Sequence, residues 1–466
     1  MQKPGDLGKP IASSLLLSLA TTSISLLVAT PSWTQTSCEA YSINRSTPQT
    51  QTPPISAFLP WPEPRFHPVA QQSLNPADRA CVDPASPLAQ RNPFEEEETL
   101  SFYIGSKLPN PTASQGPTSA PITPAASDLR GGTNITVGSQ LNLGDTQRLA
   151  LELKGGESVL GLYLGYVQVT DDPRQGFAVS GFNQRSYSTA LAEGDRNVEL
   201  PGGDTPWVHR LGGGVEGYIP IGTVDTTVGV TYQRVSVRDD VFTSDLAPVD
   251  ELGNPLTISD DGQDELLTLN LAAQYDTRNS PRNPSEGTRI RLGLDQSIPV
   301  GDAEISMTRV NASATQFIPL SLFGFAEGSR TLVLNLQGGH IFGDAPFYEA
   351  FSLGGASSVR GYSGGEIGTG QSYIQATAEY RFPITSLTAF DEAIDLGGSL
   401  FIDYGNVLDT QDEVFGKPGL MRDKPGEGWG FGLGLRAYTS FTTGQAEFAI
   451  SEQGDVEFHF SLGQRF

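Results

Sequence analysis

The chain has 466 residues, of which 37% are hydrophobic and 53 are glycine, enough for one large domain and a tail. Its formal net charge of -24 argues against nucleic acid as a partner. Four histidines and two cysteines are scattered along the chain without zinc-ligand spacing, so neither a metal nor another cofactor is predicted.

Residues 1–35 have the pattern of a secretory signal peptide. Lys3 and Lys9 form a short basic region, and the largely apolar stretch Ile11–Ala29 follows it. No A-x-A motif stands out after this stretch, so the sequence does not fix the cleavage position. Beyond it, no run of 18 apolar residues occurs, which argues against a membrane-spanning helix.

The segment 36–130 is dominated by Pro, Ser, Thr, Gln and Ala, as in TPQTQTPP at 47–54. A segment of this composition buries little apolar surface, and we expect it to be disordered. It contains Cys38 and Cys81, the only cysteines of the chain. An exported compartment permits a disulfide between them, but the sequence leaves open whether it forms.

Residues 131–466 are predicted to form a β-barrel, because apolar and polar residues alternate repeatedly along them. In Leu267–Asp276, leucines, an alanine and a tyrosine occupy every second position. Period two indicates strands, although alternation alone fits both a soluble sandwich and a transmembrane barrel. The export signal, the bilayer-spanning strand lengths and the alternating C-terminal segment favour an all-β, transmembrane antiparallel barrel.

Fifteen strands can be counted in the barrel region, near 134–142, 147–154, 158–170, 175–187, 207–219, 224–237, 265–277, 287–298, 304–317, 331–342, 371–383, 396–407, 428–438, 444–451 and 455–466. Bacterial barrels have an even number of strands and both ends in the periplasm. We therefore expect sixteen strands, with one missed near the start. The long loops then face outward, at 188–206, 238–263, 343–370 and 408–427. The turns 278–286, 318–330 and 384–395 face the periplasm.

The longest outward loop contains SSVRGYSGGEIGTG at 357–370, which includes the hydrolase-like pattern G-x-S-x-G around Ser363. A nucleophile elbow needs a helix after the serine and a histidine partner. The residues that follow, Gly364–Gln371, have no helix propensity, and His459 is the only later histidine. In a glycine-rich chain the pattern is expected by chance, so we do not predict an enzyme.

The same loop carries V-R-G-Y, and other short motifs follow it in order. They are E-Y-R-F-P at 379–383, F-I-D-Y-G at 401–405, the turn DTRNSPRNPSEG at 276–287 and a C-terminal strand ending in Phe. Together these motifs resemble the BamA/TamA outer-membrane assembly superfamily, also called the bacterial surface antigen family, over most of 134–466. The overall texture resembles cyanobacterial members. The C-terminal residues that match the insertion signal of outer-membrane barrels are Phe458, Phe460, Leu462, Gly463 and Phe466.

The resemblance implies that the long loop folds back into the lumen and is anchored by its arginine. The anchor residues are Val359, Arg360, Gly361 and Tyr362. Strand alternation independently places their candidate partners on the lumen face, namely Glu379, Phe401, Asp403 and Gly405. Arg360 can form a bidentate pair with a carboxylate and a cation–π contact with Phe401. The alternative is a solvated loop arginine.

Four glycines, Gly428, Gly430, Gly432 and Gly434, fall on one face of a single strand. Glycine in a strand permits bending or a close backbone approach. The sequence does not distinguish barrel curvature from room for the inserted loop.

Members of the family commonly insert barrels into the outer membrane or move proteins across it, without a cofactor. The resemblance therefore implies an outer-membrane location and contact with outer-membrane lipid. It also implies that the chain's partners are unfolded barrel precursors or a separate periplasmic protein. No helical periodicity occurs in 36–130, so POTRA modules are predicted to be absent. Because POTRA modules usually receive the substrate, a passive outer-membrane channel remains the alternative.

Overall fold

A computed structural model gives the fold of residues 100–105 and 134–465, apart from short gaps at 144–145, 157, 173, 194–195, 281–282, 301–304, 390–391, 410–412, 419–421, 440–442 and 463–464. These residues all belong to one unit, Asn92–Phe466. The signal peptide, both cysteines and most of the segment 36–130 lie outside the described residues. The predicted absence of POTRA modules falls largely on that segment.

Within these residues, sixteen antiparallel strands form one sheet in chain order. They are β1 (Leu100–Gly105), β2 (Asn134–Asn142), β3 (Gln147–Gly156), β4 (Val159–Val169), β5 (Gly176–Tyr187), β6 (Trp207–Ile221), β7 (Val224–Arg238), β8 (Gln263–Asp276), β9 (Gly287–Ile298), β10 (Met307–Pro319), β11 (Thr331–Gly343), β14 (Ser372–Ala389), β15 (Glu392–Val407), β16 (Glu427–Tyr438), β17 (Thr443–Ser451) and β18 (Val456–Leu462). Two short strands, β12 (Phe351–Leu353) and β13 (Gly368–Gly370), pair within the loop after β11. In the large sheet β11 therefore pairs directly with β14, and the other strands pair with their neighbours along the chain. The predicted sixteen-stranded all-β barrel is confirmed.

The strand missing from the sequence count is β1. It lies within 36–130, so the expectation of disorder does not hold for these six residues. The segment LSFYIG is short but rich in β-branched and aromatic residues, and it pairs with Thr136–Leu141 of β2. The sequence count missed this strand because six residues within Pro-rich sequence are too few to show a recognisable alternation of apolar and polar side chains.

The β14–β15 hairpin is longer than the sequence pattern indicates. Residues 384–395, predicted to be a turn, are mostly strand, and the two strands pair as far as Ala389 and Glu392. The alternation of apolar and polar residues stops after Phe382, because Thr385, Ser386 and Thr388 are polar and exposed. The hairpin therefore continues beyond the apolar band of the barrel.

The apolar side chains of the strands face outward. On β16, Trp429, Phe431, Leu433 and Leu435 are each about half exposed. The intervening face points into the lumen and is polar. On β14 that face carries the buried residues Gln375, Thr377, Glu379 and Arg381. Apolar side chains outside and polar ones inside are typical of a transmembrane barrel.

The described residues include a short helical turn, the 3-10 segment Thr189–Leu191. None of the helical structure in this part of the chain is long and apolar enough to cross a membrane.

An apolar core lies among the outward loops rather than between two sheets. The loop joining β11 to β14 contributes many of its members, among them the fully buried Phe351, Leu353, Val359 and Ile367. The N–H of Ile367 donates to the carbonyl of Leu353 at 3.1 Å, beside the β12–β13 pair, and holds the base of this loop together. The loop is therefore a folded part of the barrel interior.

Candidate functional site

Arg360 lies at the tip of the loop between β11 and β14 and is completely buried. Its Nε donates to Asp403 Oδ2 at 2.7 Å and its Nη2 to Asp403 Oδ1 at 3.0 Å, which is a bidentate pair. Its Nη1 donates to Glu379 Oε2 at 2.9 Å and to Glu447 Oε1 at 2.6 Å. One side chain thus connects the loop to β14, β15 and β17.

The predicted partners of Arg360 surround it. The guanidinium carbon lies 3.3 Å from the ring centroid of Phe401, in cation–π geometry. The backbone N–H of Arg360 donates to Asp403 at 3.1 Å, and the hydroxyl of Thr377 donates to the same carboxylate at 2.8 Å. The carboxylate of Asp403 therefore holds both the side chain and the backbone of the loop tip.

Burial by itself lowers the pKa of Arg360, but Asp403, Glu447 and Glu379 outweigh that effect and hold its pKa above the ordinary value. The guanidinium therefore stays charged. A buried charge requires such partners, because an unpaired ion in the protein interior is costly.

Sequence reasoning missed several members of this ion-pair network. Glu447 contacts Arg360 directly, Arg381 and Arg436 both contact Glu379, and Arg465 contacts Asp403 at 3.4 Å. The signal in the sequence that could have found them is the alternation of side chains, which assigns residues to the lumen face. On β17, for example, Gln445, Glu447 and Ala449 share that face. Alternation gives the face of each residue, but the pairing register is needed to bring the charges together.

The other V-R-G-Y residues fix the position of the loop tip. Gly361 has φ +97°, and a Cβ there would overlap the backbone of Ile450 and Ser451. Val359 and Tyr362 are buried on either side of it. Val359 lies against Gly405, where an added side chain would meet its methyl group at 2.7 Å.

The four glycines of β16 serve two purposes. A Cβ at Gly428 would meet the Tyr362 ring, and a Cβ at Gly430 would overlap the carbonyl oxygen of Arg360. A Cβ at Gly432 would overlap the carbonyl of Phe448 on the neighbouring strand, and one at Gly434 would meet Ser399. Two glycines therefore admit the loop, and the other two allow close packing within the barrel wall.

Ser363, the residue of the hydrolase-like pattern, donates its hydroxyl to Glu457 at 3.2 Å. His459 instead accepts a hydrogen bond from the backbone of Gly361 at 3.5 Å. Both contacts are with β18, so they connect the loop tip to the last strand of the barrel.

A second set of contacts joins the outward loops to one another. Arg422 pairs with Asp250 at 2.7 Å, and both are fully buried. Lys424 is also buried and donates to the carbonyl of Ala190 at 3.3 Å. Burial lowers the pKa of Lys424 from 10.5 to about 7, with Arg422 adding to the decrease and Glu193 opposing it.

The barrel has a seam between its first and last strands. Among the described residues, β1 pairs only with β2, and β18 pairs only with β17. β18 carries the predicted insertion-signal residues Phe458 and Phe460, both more than half exposed on the outer face. Leu462 pairs with Gly444, whereas Gly463 and Phe466 lie outside the described residues.

Comparison with known proteins gives a consistent relationship. Residues 142–466 match the Omp85 superfamily domain, and these residues contain barrel strands and their loops without a POTRA module. The chain is 28% identical to chloroplast outer envelope protein 80 of Arabidopsis thaliana over 326 residues, which are 69% of this chain and 41% of that protein. It is 28% identical to the chloroplast protein TOC75 of Pisum sativum over 65% of this chain and 37% of that protein. The chain thus spans less than half the length of these relatives.

Solved structures show the same fold. The crystal structure of BamA from Haemophilus ducreyi lacking POTRA domains 1–3 superposes with a TM-score of 0.53 and 14% identity, covering 79% of this chain and 70% of that one. CdiB from Escherichia coli gives a TM-score of 0.51 and 12% identity, covering 79% and 63%. Similarity at this level of identity establishes the shared barrel fold alone.

Replacing the loop-tip arginine tests the ion-pair network. We expect Arg360→Ala to lower the free energy of unfolding by about 3–5 kcal/mol, because three buried carboxylates lose their shared cation. Arg360→Lys should recover only part of the loss, since an ammonium cannot form the bidentate pair. The matched control is Arg234→Ala, whose ion pair with Glu265 is partly exposed, with an expected change of at most about 1 kcal/mol. Urea unfolding in detergent, followed by the gel shift of folded barrel, measures all three, and equal losses in Arg360→Ala and the control would contradict the network's role.

Adding one methyl group to β16 tests the docking of the loop. Arg360 is the only Lys or Arg between residues 343 and 371, so trypsin can cut this loop only there. Gly430→Ala should expose that bond, because the new Cβ occupies the space of the Arg360 carbonyl. Gly181→Ala is the control, since the nearest atom to its Cβ is 3.9 Å away. Mass spectrometry of tryptic fragments from folded barrel measures cleavage, and continued resistance of Gly430→Ala would show that the loop does not depend on this space.

The lowered pKa of Lys424 predicts a pH dependence of stability. Below pH 7 the lysine is charged in both the folded and unfolded states, so the full cost of burying the charge is present. Between pH 7 and 10.5 the unfolded state binds more protons, so stability rises with pH. Melting temperatures at pH 6, 8 and 9.5 should therefore rise more in wild type than in Lys424→Met. Parallel curves for the two proteins would contradict this assignment.

Proposed function

The chain belongs to the Omp85 superfamily and is an outer-membrane β-barrel, and we propose that it assists the insertion or translocation of other polypeptides at that membrane. The observation that carries the proposal is the seam between β1 and β18, which share no ladder within the described residues. Unpaired strand edges can template an incoming strand. The proposed substrates are unfolded barrel precursors, delivered with or without a separate periplasmic partner.

The ion-pair network supports the proposal by stiffening one side of the seam. Arg360 connects the loop to β14, β15 and β17, while Ser363 and Gly361 contact β18. With the β18 side firmly held, opening is concentrated at the seam with β1, which has six described residues. We propose that the work is done by strand pairing, without covalent chemistry or a cofactor.

The passive channel is the less favoured function, because the loop between β11 and β14 occupies the lumen. Val359, Arg360 and Tyr362 are almost completely buried, and the loops containing Asp250 and Arg422 pair over the same end. A wide, permanently open pore would need these buried contacts to break.

The test uses purified folded barrel in liposomes of outer-membrane-like lipid. The folding rate of a second, urea-denatured barrel precursor is followed with wild type, Arg360→Ala and Arg234→Ala, each normalised to its folded fraction. We expect acceleration by wild type and by Arg234→Ala, and weaker acceleration by Arg360→Ala, because a loosened loop tip no longer supports β18.

Conductance in planar bilayers separates the alternatives. Acceleration of folding with low, unsteady conductance agrees with the proposal. Steady conductance without any acceleration would reject autonomous insertion and favour the channel.

A further inference from the structure

The hairpin of β14 and β15 presents an unpaired strand edge at the end of the barrel where the chain's C-terminus lies. The β11–β14 ladder ends at the pair Thr331 and Arg381. β14 continues for eight more residues, Phe382–Ala389, which pair on the other side with Gly398–Glu392 of β15. Within the described residues this extension has no strand partner on the β11 side.

The turn between β10 and β11 covers only the start of this edge. The N–H of Phe325 donates to the carbonyl of Pro383 at 2.9 Å, which shows that the edge directs hydrogen-bonding groups toward the turn. In an antiparallel ladder, every second residue directs its N–H and C=O away from its partner strand. After Pro383, the described residues provide no backbone partner for those groups.

The sequence of the edge does not protect it against pairing. Proteins usually blunt an edge with lysine, proline or a bulge. Here the proline and the bulge lie at the start, between Pro383 and Thr385. The following residues, Ile384–Thr388, are ITSLT, which are uncharged and rich in β-branched side chains. Thr385, Ser386, Leu387 and Thr388 are all exposed.

Apolar side chains lie beside the start of the edge. Phe323 packs against Tyr380 and Phe382 with ring centroids 5.0 and 4.8 Å apart, and Phe325 contacts Phe382 at 5.9 Å. Phe325 nevertheless remains 75% exposed. The Tyr380 hydroxyl bonds to the turn backbone at Phe323, which holds the turn against β14. This turn forms a fixed apolar shelf next to unpaired backbone groups.

We propose that the edge Ile384–Thr388 binds an extended segment of another polypeptide as an added strand, with apolar side chains at alternate positions facing the shelf. This stretch lies beyond the apolar band, where water can satisfy its backbone groups, but the exposed side chains of Phe325 and Leu387 beside it favour an extended peptide that pairs with the edge and covers them. Bacterial outer-membrane barrels have both chain ends in the periplasm, which predicts that this end of the barrel faces it. The site lies four strands from the seam, so this inference goes beyond the proposed function.

The test measures peptide binding to wild-type barrel in nanodiscs. The probe is fluorescein-labelled VEFHFSLGQRF, the sequence of residues 456–466, whose side chains alternate as a strand requires. A second probe carries N-methyl groups on alternate amides and cannot complete a ladder. We expect saturable binding of the first probe, at least about tenfold weaker binding of the second, and a similar loss with Leu387→Lys, which places a charge at the edge.

The control variant is Leu408→Lys, the same substitution at an exposed leucine in an outward loop, which should bind like wild type. Three results would each overturn the proposal. Equal binding of the N-methylated probe would exclude strand addition. Equal binding to empty nanodiscs would assign the signal to lipid. Undiminished binding to Leu387→Lys would place the peptide elsewhere, for example at the seam. That result would leave the proposed insertion activity standing.

Discussion

The burial of one guanidinium among three carboxylates determines how the inside of this barrel is arranged. Arg360 is inaccessible to water, and Asp403, Glu379 and Glu447 hold it from three different strands. Such a network is stable only when every partner is present, since a lone buried charge is strongly unfavourable. The loop, the strand register and the lumen-facing acids therefore depend on one another.

Missing side chains are as necessary to this arrangement as charged ones. Gly405, Gly428 and Gly430 line the path of the loop tip, and any larger residue there would meet Val359, Tyr362 or the Arg360 backbone. Glycine weakens strands by itself. The barrel wall accepts that cost where the loop must approach, and the ion pairs on neighbouring strands offset it. The barrel wall is thus shaped to fit the loop, and the loop is an integral part of the barrel interior.

In the part of the chain that the structure describes, the barrel has two kinds of strand edge without a ladder partner. The seam between β1 and β18 interrupts the sheet itself, while the β14 extension projects beyond it. Unpaired edges are generally avoided because they attract other strands. In an Omp85 barrel, where pairing with a foreign strand is the proposed activity, they are functional candidates. The loop network lies close to β18, whereas the β14 edge is supported by the aromatic shelf around Phe323.

The sequence by itself determined the strand type, fifteen of the sixteen strands and the faces of their residues, because side chains alternate with period two whatever the partners are. The even strand number of bacterial barrels, rather than any pattern in the sequence, predicted the sixteenth strand. It also placed Arg360 near Glu379, Phe401 and Asp403, since these share lumen faces and a recognisable family pattern. Tertiary structure alone decided that Glu447 completes the network and that β1 lies in a Pro-rich segment. It also decided that the β14–β15 hairpin extends beyond the end of the β11–β14 ladder. Each of these depends on the pairing of distant segments. The alternation of side chains along one strand does not show with which residues of another strand they pair.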